Sequence, residues 1–311
     1  MAYELNKRLV VGLASSALFN LEESDEIYRT KGATAYREFQ REHQNKPLEE
    51  GVAFPFIRRL LSLNELSPSD HPVEVILLSR NSPDTGMRVM NSLEYYGLGI
   101  TRSIFLEGKP PYVYIPCLDI NLFLSANEAD VKQANLASYP AGQVLTSKHF
   151  DDPNDHELRI AFDFDGVLAD DESETIYQTT GDLDAFREHE RKLAETPHNP
   201  GPLKDFLEKI AYIQKLEETR ASEDSSYKTK IRISIVTARD APSHKRVINT
   251  MRAWGINVNE AFFLGGIEKR KVLEVHNPHI FFDDQKLHLE SASEVLPSVH
   301  IPFGITNNKV T

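Results

Sequence analysis

The chain has 311 residues, too many for one ordinary domain and suited to two of roughly 150 each; 40% are hydrophobic and 26% charged, the balance of a soluble globular protein. A formal net charge of −12 excludes wholesale nucleic-acid binding, though not a small anionic ligand held by one local cluster of cations. The single cysteine, Cys117, rules out an intrachain disulfide and argues against a cysteine-based zinc site; its apolar setting, YIPCLDI, predicts a packed core thiol.

The first predicted element is a strand over 8–13. The stretch NKRLVVGLASSALFNL also has the basic start and apolar run of a signal peptide, but an internal repeat favours the strand. A largely helical insert follows, then a strand at 73–78 and the helix PDTGMRVMNSLEYYG, whose Gly97 suits a C-cap. Short apolar strands are predicted at 103–106 and 120–124. The polar stretch 147–158 then marks a boundary between domains 1–150 and 151–311. The second domain runs through a strand at 158–163, a helical insert at 171–230 with an exposed loop at 221–228, and a strand at 231–236. The helix APSHKRVINTMRAWG, ending at Gly255, and strands at 261–264 and 279–282 complete it. Strands alternating with helices imply parallel sheets covered on both faces. No run of about 20 apolar residues occurs, so no membrane span is predicted.

The two domains repeat one another. ESDEIYRTKG at Glu23 recurs as ESETIYQTTG at Glu172, and VEVILLSRNSPDTGMRVMNSLEYYGL at Val73 as IRISIVTARDAPSHKRVINTMRAWGI at Ile231. Four shorter blocks recur in the same order, which makes coincidence improbable. The fold class expected is therefore α/β, with two similar Rossmann-like halves arising by internal duplication. Aligned this way, Asp163 corresponds to Ala14, Asp165 to Ser16, Thr237 to Leu78, and Asp283 and Asp284 to Ser125 and Ala126. If folding required the acids, both halves would carry them; one set points to chemistry in the second half.

In a doubly wound sheet, ligands bind beyond the carboxyl ends of the strands, where Asp163, Asp165, Thr237, Asp283 and Asp284 all fall. Carboxylates gathered there repel one another unless a cation is present, and oxygen-only ligands point to Mg²⁺. Phosphate is its usual companion. One carboxylate can attack phosphorus while the second protonates the leaving oxygen and later activates water. Gly166 allows a sharp turn after the strand. The Thr237 hydroxyl can donate to a phosphate oxygen, or simply cap the next helix. A lysine, Lys269 or Lys271, supplies positive charge. DDESE at 170–174 reads as the charged first turn of a helix, with further metal chemistry the alternative, and His189 as a solvated helix face. Tyr177 and Phe186 read as core aromatics, with stacking on a base the alternative.

DFDGV at Asp163, Thr237 in IVTAR, Lys269 and FFDD at Phe281 resemble, in order, the four motifs of the haloacid dehalogenase phosphatase superfamily. GPLKDFLE, VTARDAPS, AFFLGGIEK and PHIFFDDQ, with AFPFI and DINLFLSA in the first half, look like the cytosolic type-I 5′-nucleotidase family across nearly the whole chain. The resemblance implies a cytoplasmic, Mg²⁺-dependent phosphohydrolase acting on nucleoside 5′-monophosphates, AMP among them, through an aspartyl-phosphate. The second half would be a haloacid dehalogenase-type core with 171–230 as its cap; 1–150 would be a degenerate half without the acids. Asp163 would be nucleophile and metal ligand. Asp165 would be the general acid/base and a metal ligand. Thr237, Ala238, Lys269 and Gly166 would hold the phosphate; Asp283 and Asp284 would complete the metal site. Two alternatives stand beside it: the same chemistry on another small phosphate ester, and a non-enzymatic nucleotide-binding protein. Candidate partners are the nucleoside monophosphate, a regulatory nucleotide and a second copy of the chain, with neither a nucleic acid polymer nor a membrane among them. Ser79, Arg80 and Asn81 keep polar groups at the first half's strand ends, for a substrate pocket or a regulatory nucleotide.

Overall fold

Val75, Ile76, Leu77 and Leu78 form an unbroken apolar run that cannot sit at a wet surface, and all four are buried, with Val73, in one strand. In the computed structural model, which describes residues 3–149 and 151–307, the chain divides into two units between Val144 and Leu145. The first contains β1 (Leu9–Leu13), the two-residue pair β2 (Phe19–Asn20) and β3 (Glu49–Glu50), β4 (Val73–Ser79), β5 (Arg102–Phe105), β6 (Leu122–Ser125) and β7 (Ala141–Val144). Within it the sheet order is β5-β4-β1-β6-β7, with all neighbours parallel. The second unit contains β8 (Leu158–Phe162), β9 (Ile231–Thr237), β10 (Glu260–Phe263), β11 (Ile280–Asp283) and β12 (Ser298–His300). Its order, β10-β9-β8-β11-β12, is also parallel throughout and places the strands in the same sequence from the first.

The parallel α/β architecture is as expected, and the segment that resembles a signal peptide contains the buried central strand β1. Among the described residues, no helix is long and apolar enough to cross a membrane. β7 and β12 were not anticipated; each is short and follows a brief helix. The expected boundary stretch 147–158 lies just beyond the observed division, because the Leu145 amide donates to Ser298 O at 3.0 Å and its side chain packs in the second core. Phe150, within that stretch, lies outside the described residues.

Strand pairing corrects one alignment. Leu9 pairs with Val73 and Leu158 with Ile231. Counting the same distance onward, from 73 to 79 and from 231 to 237, sets Thr237 opposite Ser79, not Leu78. Cys117 is not a core thiol: it is exposed on a short turn, Pro116–Leu118, with Sγ donating to Tyr114 O at 3.2 Å. A prolyl turn at the surface leaves even an apolar-looking stretch outside the core. Tyr177 is also exposed, at 41%, whereas Phe186 is buried.

The insert 171–230 has two characters. The helix Lys204–Glu223 buries Phe206, Leu207, Ile210 and Ile213, and Phe206 meets Phe162 and Phe282 of the sheet at 6.2 and 6.1 Å. It covers one sheet face as an ordinary layer helix. It also takes up residues 221–223, so only 224–228 remain of the expected loop. The helices Glu172–Thr180 and Leu183–Lys192 bury little apolar surface. They are held to the unit by ion pairs instead.

Candidate active site

Strand ends place the charged groups. Asp163 follows β8, and its amide donates to Phe282 O at 2.8 Å, pinning it beside β11, whose last residue is Asp283. Lys269 opens the helix Lys269–His276. Its Nζ lies 2.8 Å from Asp163 Oδ2 and 2.7 Å from Asp283 Oδ2, and only 3% of the residue is exposed. Lys271, the alternative, is exposed. Burial pushes the Asp163 carboxyl up to about 7: Lys269 opposes the rise, while the neighbouring charges of Asp283 and Asp165 add to it. Burial would also raise Asp283, but Lys269 and a contact from His288 Nδ1 at 3.2 Å hold it below the usual carboxylate range. Lys269 is held above its ordinary value by the two carboxylates, against its own burial.

Asp284 is placed differently. Its Oδ2 accepts from Thr306 Oγ1 at 2.8 Å, but Oδ1 is buried with no hydrogen-bond partner among the described residues. Burial and the Asp283 and Asp163 charges push its carboxyl well up. The same side chain presses on Gly166. That residue has φ +69°, and a Cβ there would come 2.8 Å from Asp284 Cγ. Gly166→Ala is therefore expected to destabilise the fold by at least about 1 kcal/mol, from the left-handed backbone alone, and to displace Asp284. An unchanged denaturation midpoint would contradict this crowding.

Asp165 does not join the cluster. Its carboxylate is gripped on both oxygens by Arg239, Nε to Oδ2 at 2.7 Å and Nη2 to Oδ1 at 2.6 Å. Arg239 also pairs with Glu190, and its Nη2 lies 3.2 Å from His198 Nε2. Glu190 accepts from Ser173 Oγ at 2.7 Å and from Arg246 Nη1 at 2.9 Å. Arg246 reaches Glu172 at 3.0 Å. Burial would raise the Glu190 carboxyl, yet His198, Arg239 and Ser173 hold it far below the ordinary glutamate range. His189 belongs here too. It is not a solvated face but meets Glu172 at 3.1 Å. In DDESE, the helix starts at Glu172 as expected, with Asp170 accepting from Asn199 at 2.9 Å.

Sequence reasoning missed Arg239, Glu190, Arg246 and His288. A signal existed for the first two. In the aligned repeat, Arg239 stands opposite Asn81 and Glu190 opposite Gln40, so each is charged in one copy only, like the acids. Thr237 is buried at the end of β9, where its Oγ1 accepts from the Arg239 amide at 3.2 Å; Ala238 is exposed beside it.

Oxygen and nitrogen ligand atoms of Asp163, Asp283 and His288 lie within 4.8 Å of one another. The two buried carboxylates, the orphaned Asp284 Oδ1 and the reliance on a lysine ammonium for neutralisation fit a hard divalent cation. The fold and the site thus define an α/β protein with an acidic centre, at its strand ends, that could hold a metal ion.

The family is narrower than that class. The 5′-nucleotidase family profile matches residues 1–308. Human cytosolic 5′-nucleotidase 1B is 34% identical over 293 residues, which cover 92% of this chain. The chain spans 47%, about half, of the length of that relative. No solved structure is significantly similar to it. The chain belongs to the 5′-nucleotidase family, one of phosphoric monoester hydrolases, and resembles its cytosolic type-I members.

Proposed function

We propose that the protein is a Mg²⁺-dependent 5′-nucleotidase that converts nucleoside 5′-monophosphates, AMP foremost, to nucleoside and phosphate through an aspartyl-phosphate on Asp163. The observation that carries this reading is Lys269 held between Asp163 and Asp283 at the strand ends of a 5′-nucleotidase-family chain. Asp163, Asp283 and Asp284 would hold the ion, with Asp165 contributing through its backbone carbonyl. Bound there, it would offset the carboxylate charges and polarise the phosphate.

The chain's own groups would then act in two displacements. An Asp163 oxygen attacks phosphorus, the bond to O5′ breaks, and Asp165 delivers a proton to that oxygen as the nucleoside leaves. Water, giving its proton to Asp165, then attacks the aspartyl-phosphate and releases phosphate. Lys269 offsets charge on the transferring group, and the Thr237 hydroxyl donates to it. Gly166 and Ala238 give the phosphate room at the turns they occupy. Asp165 is tied to Arg239 in the structure, so carrying a proton requires it to release that guanidinium. Glu190 couples Arg239 to the helices 172–192, which we assign as the mobile part of a cap.

Phosphate release from a panel of 5′-nucleotides and sugar phosphates tests the reading. AMP turnover is expected to fall to background in EDTA and return with Mg²⁺. Turnover of sugar phosphates alone would move the substrate class, and turnover indifferent to chelation would remove the metal.

We also read the two units as an internal duplication. Beyond the shared strand order, the turns match atom by atom. Ser79 Oγ accepts from the Asn81 amide at 3.1 Å, as Thr237 Oγ1 does from Arg239. Ser125 Oγ accepts from the Asn127 amide at 3.1 Å, as Asp283 Oδ1 does from Gln285 at 2.8 Å.

A further inference from the structure

The first unit has a cavity of about 740 Å³ at the carboxyl ends of β1, β4 and β6, a size ordinary for a small-molecule site. Ala14, Ser16, Ser125 and Ala126 line it, the four positions that hold acids in the second unit. Pro111, opposite Lys269 in the aligned repeat, lines it as well. Neither a carboxylate nucleophile nor a metal-binding set of carboxylates remains at these positions.

We propose that this cavity is a second, catalytically silent binding site, and that its ligand is an uncharged nucleoside. The choice of a nucleoside rests on the 5′-nucleotidase reading; the existence of the site does not. Charge argues against a phosphate. The lining has three acids, Asp25, Glu107 and Asp130, against two arginines. Arg80 is held by Asp130 with Nε to Oδ2 at 2.8 Å, and Arg37 meets Glu107 at 3.2 Å. Among the described residues, no lining cation is left over to balance a dianion.

What the lining offers is neutral hydrogen bonding and an aromatic face. The hydroxyls of Ser15, Ser16 and Ser82 and the amides of Asn81 and Asn127 suit sugar hydroxyls and base edges. Tyr36 donates to Asn81 Oδ1 at 2.7 Å and meets Tyr28 edge-on at 5.7 Å between ring centres. Tyr28, 56% exposed, is left with a face on which a flat heterocycle can stack.

Equilibrium dialysis of the full chain in EDTA, with adenosine as probe, tests the site. Saturable binding is expected, unchanged in Asp163→Asn and in excess inorganic phosphate. It should weaken several-fold in Asn81→Ala and at least tenfold in Ser16→Trp, whose indole would fill the cavity. Should Ser16→Trp fail to fold, as seen by circular dichroism, Asn81→Ala and Tyr28→Ala decide. The proposal is overturned by an absence of saturable binding, by binding that the first-unit substitutions leave unmoved, by loss of binding in Asp163→Asn, or by displacement with phosphate. Adenosine binding that responds to the first-unit variants in a protein that releases no phosphate would keep this site and remove the nucleotidase reading.

Discussion

Asp163→Asn is expected to lower phosphate release from AMP by about 10³-fold or more, because an amide cannot form the acyl-phosphate. The fold should survive. Asparagine has nearly the same shape, its Oδ1 can still accept from the Phe164 amide, and Lys269 keeps Asp283 at 2.7 Å. Nucleotide binding should persist for the same reason, so single-turnover experiments with radiolabelled AMP would find wild-type protein carrying acid-stable label and the variant none. Phosphate release that continues undiminished would show that Asp163 is not the nucleophile. If activity falls but so does unfolding stability, the aspartate is structural, and its absence from the first unit has another cause.

Arg239→Ala should have the largest effect on stability. It strips the partners from two carboxylates: Asp165, gripped on both oxygens, and Glu190, whose side chain is fully buried. Breaking a buried ion pair by deleting one partner typically costs about 3–5 kcal/mol, since the other charge is left without compensation. Arg246 remains with Glu190 and softens part of that loss. Chemical denaturation should show a lower midpoint at similar slope, and Arg239→Lys should fall between, because lysine keeps the charge but not the two-pronged geometry. A change within about 0.5 kcal/mol, the usual range for surface positions, would mean that the network is slack. The pH dependence has a definite sign. Glu190 is held below its ordinary value of 4.5, so its contribution is present above that pH and is lost as pH falls below it. Glu190→Gln should be less stable at neutral pH and lose less on acidification.

Much of this was legible in the residues. The β-branched and apolar stretches at 73–78 and 231–236 read as strands, and the repeat predicts two similar α/β halves; the order of the strands in the sheet is set by their hydrogen bonding. Hydrogen bonding then added what periodicity cannot carry. β7 and β12 are only four and three residues long, too short for a pattern to emerge. Cys117 misled because a local apolar setting does not tell which way a surface turn faces. The insert 171–230 looked uniform, yet the aromatic contacts of Phe206 tie its last helix to the sheet.

At the site the division is sharper. Acids accumulate at the ends of strands in one copy of a repeated scaffold, and this is readable along the chain, since strand length and alternation set which residues reach those ends. The sequence also supplied a lysine close to a turn. Tertiary structure decided which charges meet. It put Lys269 rather than Lys271 between Asp163 and Asp283, because Lys269 is buried at the strand ends whereas Lys271 is exposed. It turned Asp165 toward Arg239, 74 residues away in the chain, and joined both to a glutamate on a separate helix. Such pairings depend on a few ångströms of side-chain placement in a low-dielectric interior, where unpaired charge is costly, and no spacing along the chain encodes them.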